Sequence, residues 1–186
     1  METWEWIVIA AVAAAAVLLV VAIAAAIRRK RRRGHLQERF GPEYDRTVSS
    51  EGRRDAERRM SDVEKEHEEL DIRPLTPAAR DRYRDEWRQV EARFVSDPED
   101  AARSAERVVH RVLEDRGYPT DVDTELRAAH VAVDHPEVVE RYRHGHAMLH
   151  AHDGDQETEN LRKAMIDFRA VFEELVVVED RPRTTA

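Results

Sequence analysis

Residues 6–27, WIVIAAVAAAAVLLVVAIAAAI, contain no Asp, Glu, Lys, Arg, His, Ser, Thr, Asn or Gln. As a helix this run is about 33 Å long, enough to cross a bilayer core of about 30 Å. It constrains the fold more than any other stretch, because a helix that is apolar all round must be covered on every side. The next six residues are Arg28, Arg29, Lys30, Arg31, Arg32 and Arg33. Six cations cannot follow the run into hydrocarbon. Flanks of this kind stay on the cytoplasmic side, beside anionic headgroups. The other flank carries Glu2 and Glu5, with Trp4 and Trp6 suited to the outer interface. The expectation is a transmembrane helix over 6–27, with residues 1–5 outside and the rest of the chain in the cytoplasm. A cleaved secretory signal is the rival, but it carries its charge before an apolar run of only about 7–15 residues.

The chain holds 39 Asp/Glu against 31 Lys/Arg, and six of those basic residues sit in the collar at 28–33. The body beyond it is therefore strongly acidic, which argues against nucleic acid as a partner. There are no cysteines, so disulfides, thiol catalysis and cysteine-ligated metals are excluded.

Beyond a basic juxtamembrane segment at 28–41, residues 42–71 read as a long charged helix or stalk. Pro42 suits its first turn. Ala56, Met60, Val63, His67 and Leu70 recur at spacings of 4, 3, 4 and 3, a thin seam that must pack on the body, pair with a second copy, or fray. Ser49, Ser50 and Gly52 make a candidate hinge. Residues 72–178 read as the bundle core. Thr76-Pro77 caps a helix to about Val95, with Tyr83, Trp87, Val90 and Phe94 on one face. Ser96-Asp97-Pro98 starts another that should end at Arg116, with Gly117 as its left-handed terminator. A shorter helix is expected within 120–133, and one more from Asp134-His135-Pro136. Gly145 in the latter costs helix stability and would let a neighbour approach. The last helix, at 159–177, carries Leu161, Met165, Phe168, Phe172 and Leu175. Its seam is expected to meet that of the 77–95 helix. Residues 179–186 read as a disordered tail. With no βαβ alternation, the fold class is all-α: one transmembrane helix, then a cytoplasmic bundle of about four to five helices, with the long juxtamembrane helix between them.

Chemistry is sparse. Six of the nine histidines, His130, His135, His144, His146, His150 and His152, fall within one short stretch. His146 and His150 are i,i+4 on a helix and can face one ion, with Asp134 or Asp153 as carboxylate candidates. Residues 147–149 are Ala-Met-Leu, so the general-base glutamate of HExxH is absent. Ser96 and Thr158 read as caps, and no GxSxG is present. No catalytic residue and no cofactor is assigned.

LQERFGPEYDR at 36–46, IRPLTPAARDRY at 72–83, FVSDPEDA at 94–101, RGYP at 116–119, VDHPEVVERYRHGH at 133–146 and TENLRKAMIDFRAVFEEL at 158–175 resemble a group of uncharacterised single-pass, membrane-anchored helical proteins of high-GC Gram-positive bacteria. Some of these are labelled secreted. The resemblance covers nearly the whole chain and implies a bacterial plasma membrane, and it carries over no activity. The expected function is a membrane-tethered interaction or scaffold module. Its partners would be the bilayer through 6–27, anionic headgroups through the collar, and a protein or a second copy through the body. The alternative is a metal-dependent hydrolase or a histidine-based metal- or pH-responsive protein, which predicts that His146 and His150 converge with an acidic residue.

Overall fold

Prolines and short polar caps divide the chain into helices. A computed structural model describes residues 3–151 and 157–177, with residue 3 and residues 5–14 described in the backbone alone. Among the described residues there are eight helices and no strand: α1 (Thr3–Phe40), α2 (Pro42–Glu51), α3 (Arg53–Glu68), α4 (Pro77–Arg93), α5 (Pro98–Arg116), α6 (Thr124–Asp134), α7 (Val139–Leu149) and α8 (Glu157–Val177). The Thr76 side chain accepts from the Ala79 N–H at 3.2 Å and starts α4. Asp97 does the same for α5 through the Asp100 N–H at 3.1 Å, and Asp123 for α6 through the Leu126 N–H at 2.8 Å. Each satisfies a backbone donor the first turn would leave open. Gly117 ends α5 at φ 94. A Cβ there would lie 2.4 Å from the Asp71 carbonyl oxygen, so glycine is required both for the left-handed turn and for the chain passing beside it.

α5, α7 and α8 form the centre, with α4 laid along α5 and α6 joined to α7. The Trp87 ring stacks on Phe172 at a centroid distance of 4.5 Å, so the α4 and α8 faces meet. Such a pair adds about 0.5–1.5 kcal/mol beyond its burial. Tyr83, Val90, Leu161, Met165, Phe168 and Leu175 are buried in the same core. Phe94 is only partly buried, because α4 stops at Arg93 and Phe94 is its C-cap. At Gly145 a Cβ would stand 3.2 Å from Asp167 Cβ and 3.3 Å from the Phe168 ring. The missing side chain is what lets α7 lie this close to α8.

Residues 42–71 depart from a single long helix. Gly52, at φ 81, separates α2 from α3, and Tyr44 on α2 donates to Glu57 on α3 at 3.0 Å. Ala56, Met60, Val63 and His67 are buried, and α3 packs on α6 and on the end of α1. The seam is thus used within the chain. Likewise, the helix expected from Pro136 begins at Val139, because α6 runs to Asp134 and His135 caps it.

α1 does not break at Gly34. It continues through the collar to Leu36 and Phe40, both fully buried. Arg32 Nη2 donates to Ser61 Oγ at 2.5 Å, and Arg33 Nε reaches Glu57 Oε1 at 3.4 Å; Arg28, Arg29, Lys30 and Arg31 are exposed. Among the described residues no helix is long and apolar enough to cross a membrane. The side chains of residues 5–14, the first half of the apolar run, lie outside those described. So do Asp153, His152 and the expected tail at 179–186.

Candidate functional site

The histidine-rich stretch is divided by the α6–α7 turn, so its members point to different places. His130, within α6, and His135, its cap, are buried. His144 turns to α8, where Nδ1 meets the Asp167 carboxylate. His146 and His150 turn to α5. There His146 Nδ1 lies 2.6 Å from Glu106 Oε1. The two rings are 4.3 Å apart, and one donor atom from each of Glu106, His146 and His150 lies within 4.8 Å of the other two.

This constellation is built from two i,i+4 pairs on facing helices. Glu106 and His110 share a face of α5, and His146 in the last turn of α7 lies beside His150, which caps that helix. His110 Nε2 is 3.1 Å from the Tyr142 hydroxyl and 3.3 Å from Arg127 Nη1. Arg127 is itself tied to the Thr120 and Val122 carbonyls at 2.5 and 3.0 Å. Thr124 Oγ1 stands 3.4 Å from His146 Nε2. The His150 Nδ1–H donates to the His146 carbonyl at 2.8 Å, which places that ring's lone pair on Nε2. The carboxylate that joins the two histidines is Glu106, not Asp134. The only sequence trace of it is that Glu106 flanks the buried face of α5, four residues before His110.

Asp134 serves another joint. Its Oδ2 accepts from His67 at 3.0 Å and from the Tyr118 hydroxyl at 2.8 Å. Burial alone would raise its carboxyl, but the hydrogen bonds from His67 and Tyr118 and the charges of His67 and His135 outweigh it and hold it well below the usual carboxylate range. His67 stacks on His130 at 6.0 Å. A third cluster, His135, Glu137 and Glu174, lies at the α6–α8 end and offers one imidazole with two carboxylates.

Two of these histidines make stability depend on pH. Burial lowers the His110 imidazole, assisted by Arg127 and His146 against Glu106. Burial lowers His130 too, assisted by His67 against Glu66. Both folded values lie below the unfolded value of about 6.5, so below that pH the unfolded chain binds more protons. Stability is then complete above about pH 6.5 and falls as the pH drops through the folded values. Asp134, depressed from about 3.9, adds a further loss below about pH 4. Thermal unfolding of the full chain should show a lower midpoint at pH 5.5 than at pH 7.5, and His130→Gln should shrink the difference. A midpoint that holds or rises on acidification would contradict the assignment.

A cleft of about 230 Å³ lies elsewhere, between α4 and α5. Its arginines are answered by carboxylates: Arg93 by Asp100 at 2.9 Å, Arg107 by Asp100 at 3.7 Å, and Arg111 by Glu86. Comparison with known protein families, with curated proteins and with solved structures finds no match for this chain.

Proposed function

We propose that the chain is a single-pass, membrane-tethered helical interaction module. In this reading residues 6–27 lie in a bacterial plasma membrane, the N-terminus is outside, and the bundle is held at the cytoplasmic face. The observation that carries it is the exposure of α1. Val17, Leu18, Leu19, Val20 and Val21 are each 59–69% exposed, and Ile23 is 51% exposed. Consecutive residues point about 100° apart, so these side chains surround the helix. Over residues 17–23 the bundle covers no face of the helix, and an apolar rod of this kind needs an apolar surround.

The collar supports the orientation by placing its cations on the bundle side. Its exposed members, Arg28, Arg29, Lys30 and Arg31, sit where anionic headgroups would lie. Ile27 and Leu36 are only about 14 Å apart along an unbroken helix, so the tether is stiff and presents the bundle in one orientation. That suits a module whose acidic body meets a protein partner, or a second copy, close to the membrane.

The test is extraction of the full-length chain. Wild type should stay in the membrane pellet after alkaline carbonate. A Val17→Arg/Val20→Arg double variant, at about 2.5–3.5 kcal/mol per arginine near mid-membrane, should move to the soluble fraction. In intact cells a C-terminal tag should resist external protease. Carbonate release of the wild type, or digestion of the tag from outside, would refute the reading.

A further inference from the structure

We propose that Glu106, His146 and His150 bind one divalent transition-metal ion of the zinc class, and that the ion ties the end of α7 to the middle of α5. This does not depend on the membrane reading. Two imidazoles and one carboxylate form a borderline donor set that suits Zn²⁺, and such a set leaves a fourth position open. Around a tetrahedral ion with bonds of about 2.0–2.1 Å, ligand atoms stand about 3.3 Å apart. Here the donors lie between 2.6 Å, for His146 Nδ1 to Glu106 Oε1, and at most 4.8 Å. Exchange of the proton shared by His146 and Glu106 for the ion requires that pair to open by less than about 1 Å. The widest gap closes by at most about 1.5 Å, within the reach of side-chain torsions. His150 is exposed and His146 is half-buried, so an ion can enter from solvent.

The surroundings are organised for this donor set. The His150 ring is oriented by the His146 carbonyl at 2.8 Å, the kind of outer contact that fixes a ligating tautomer. The nearby guanidinium of Arg127 is occupied by the Tyr142 hydroxyl and two backbone carbonyls. The residue after His146 is Ala147, so the carboxylate that would activate a metal-bound water in the helical zinc hydrolases is missing. The ion is therefore a clamp between two helices rather than a hydrolytic centre. The cluster at His135, Glu137 and Glu174 has only one imidazole, a poorer set for the same ion.

The experiment is calorimetric titration of the full-length chain in detergent, purified without a histidine tag, with ZnSO₄ as the probe. One ion per chain should bind saturably and raise the thermal midpoint. His150→Ala and Glu106→Gln should each weaken binding about 10- to 100-fold or more, while His144→Ala and His135→Ala should leave it unchanged. His150 is exposed, so His150→Ala is decisive even where Glu106→Gln fails to fold. Absence of saturable binding would overturn the site. So would binding that survives His150→Ala, or binding lost in His135→Ala instead.

Discussion

Replacing Arg143 by alanine is expected to lower the unfolding free energy by about 3–5 kcal/mol. Arg143 on α7 holds Glu43 on α2 through two hydrogen bonds, Nη2 to Oε1 at 2.9 Å and Nη1 to Oε2, and its Nε reaches Glu125 on α6 at 3.0 Å. The two side chains are 8% and 2% exposed. With Arg143 gone, the Glu43 carboxylate keeps, among the described residues, the Thr47 hydroxyl at 3.1 Å and Arg46, at 3.7 Å and much more exposed. A carboxylate buried with so little compensation either protonates or drags water in, and both cost stability. The size of the loss measures the unpaired charge, not the worth of the pair. Glu43→Met/Arg143→Met should therefore recover most of it, because well-packed apolar replacements of buried ion pairs are often neutral. Denaturant unfolding of the two single variants and the double variant completes the cycle. A loss below about 1 kcal/mol for Arg143→Ala would place the pair with ordinary surface bridges.

The second large effect concerns the seating of α1. Phe40→Ala should cost about 3–5 kcal/mol, the range for truncating a fully buried phenylalanine. Leu36 and Phe40 are both at zero exposure on the last turns of α1, just before Gly41 turns the chain at φ 51 beside Pro136. Phe40 is thus a pin that seats the end of α1 in the core, where α1 packs on α2, α3 and α6. Its loss should lower the thermal midpoint and also raise the rate of protease cleavage around residues 41–52, as α1 and α2 detach from the bundle. A variant that unfolds later than this range allows, with unchanged cleavage, would show that α1 is held by its collar contacts with α3 instead.

These two sites mark where sequence reading stops. Thr76, Asp97 and Gly117 announce their helix ends because a cap or a left-handed turn is a property of four or five neighbouring residues. The faces of 77–93 and 157–177 are equally plain, since Tyr83, Trp87, Phe168 and Phe172 recur with the helical period. Glu43 and Arg143 stand a hundred residues apart, in a chain crowded with charges that are mostly solvated. Nothing local separates that pair from its neighbours. His146 and His150 declare themselves by spacing, whereas the Glu106 that meets them comes from another helix. Asp134, nearer in sequence, is held by His67 and Tyr118.

What the residues determined alone was the helical class, most of the helix ends and the apolar rod with its cationic collar, because propensity, capping and hydropathy act over a turn or two. Tertiary structure decided that α1 runs on through Gly34 into the core, that the seam of α3 is used within the chain, and which carboxylate faces which histidine. Those choices depend on how helices cross. A glycine such as Gly145 bears on that by leaving room for α8, which a Cβ there would meet 3.2 Å from Asp167, but the partners it selects are visible only once the helices are packed.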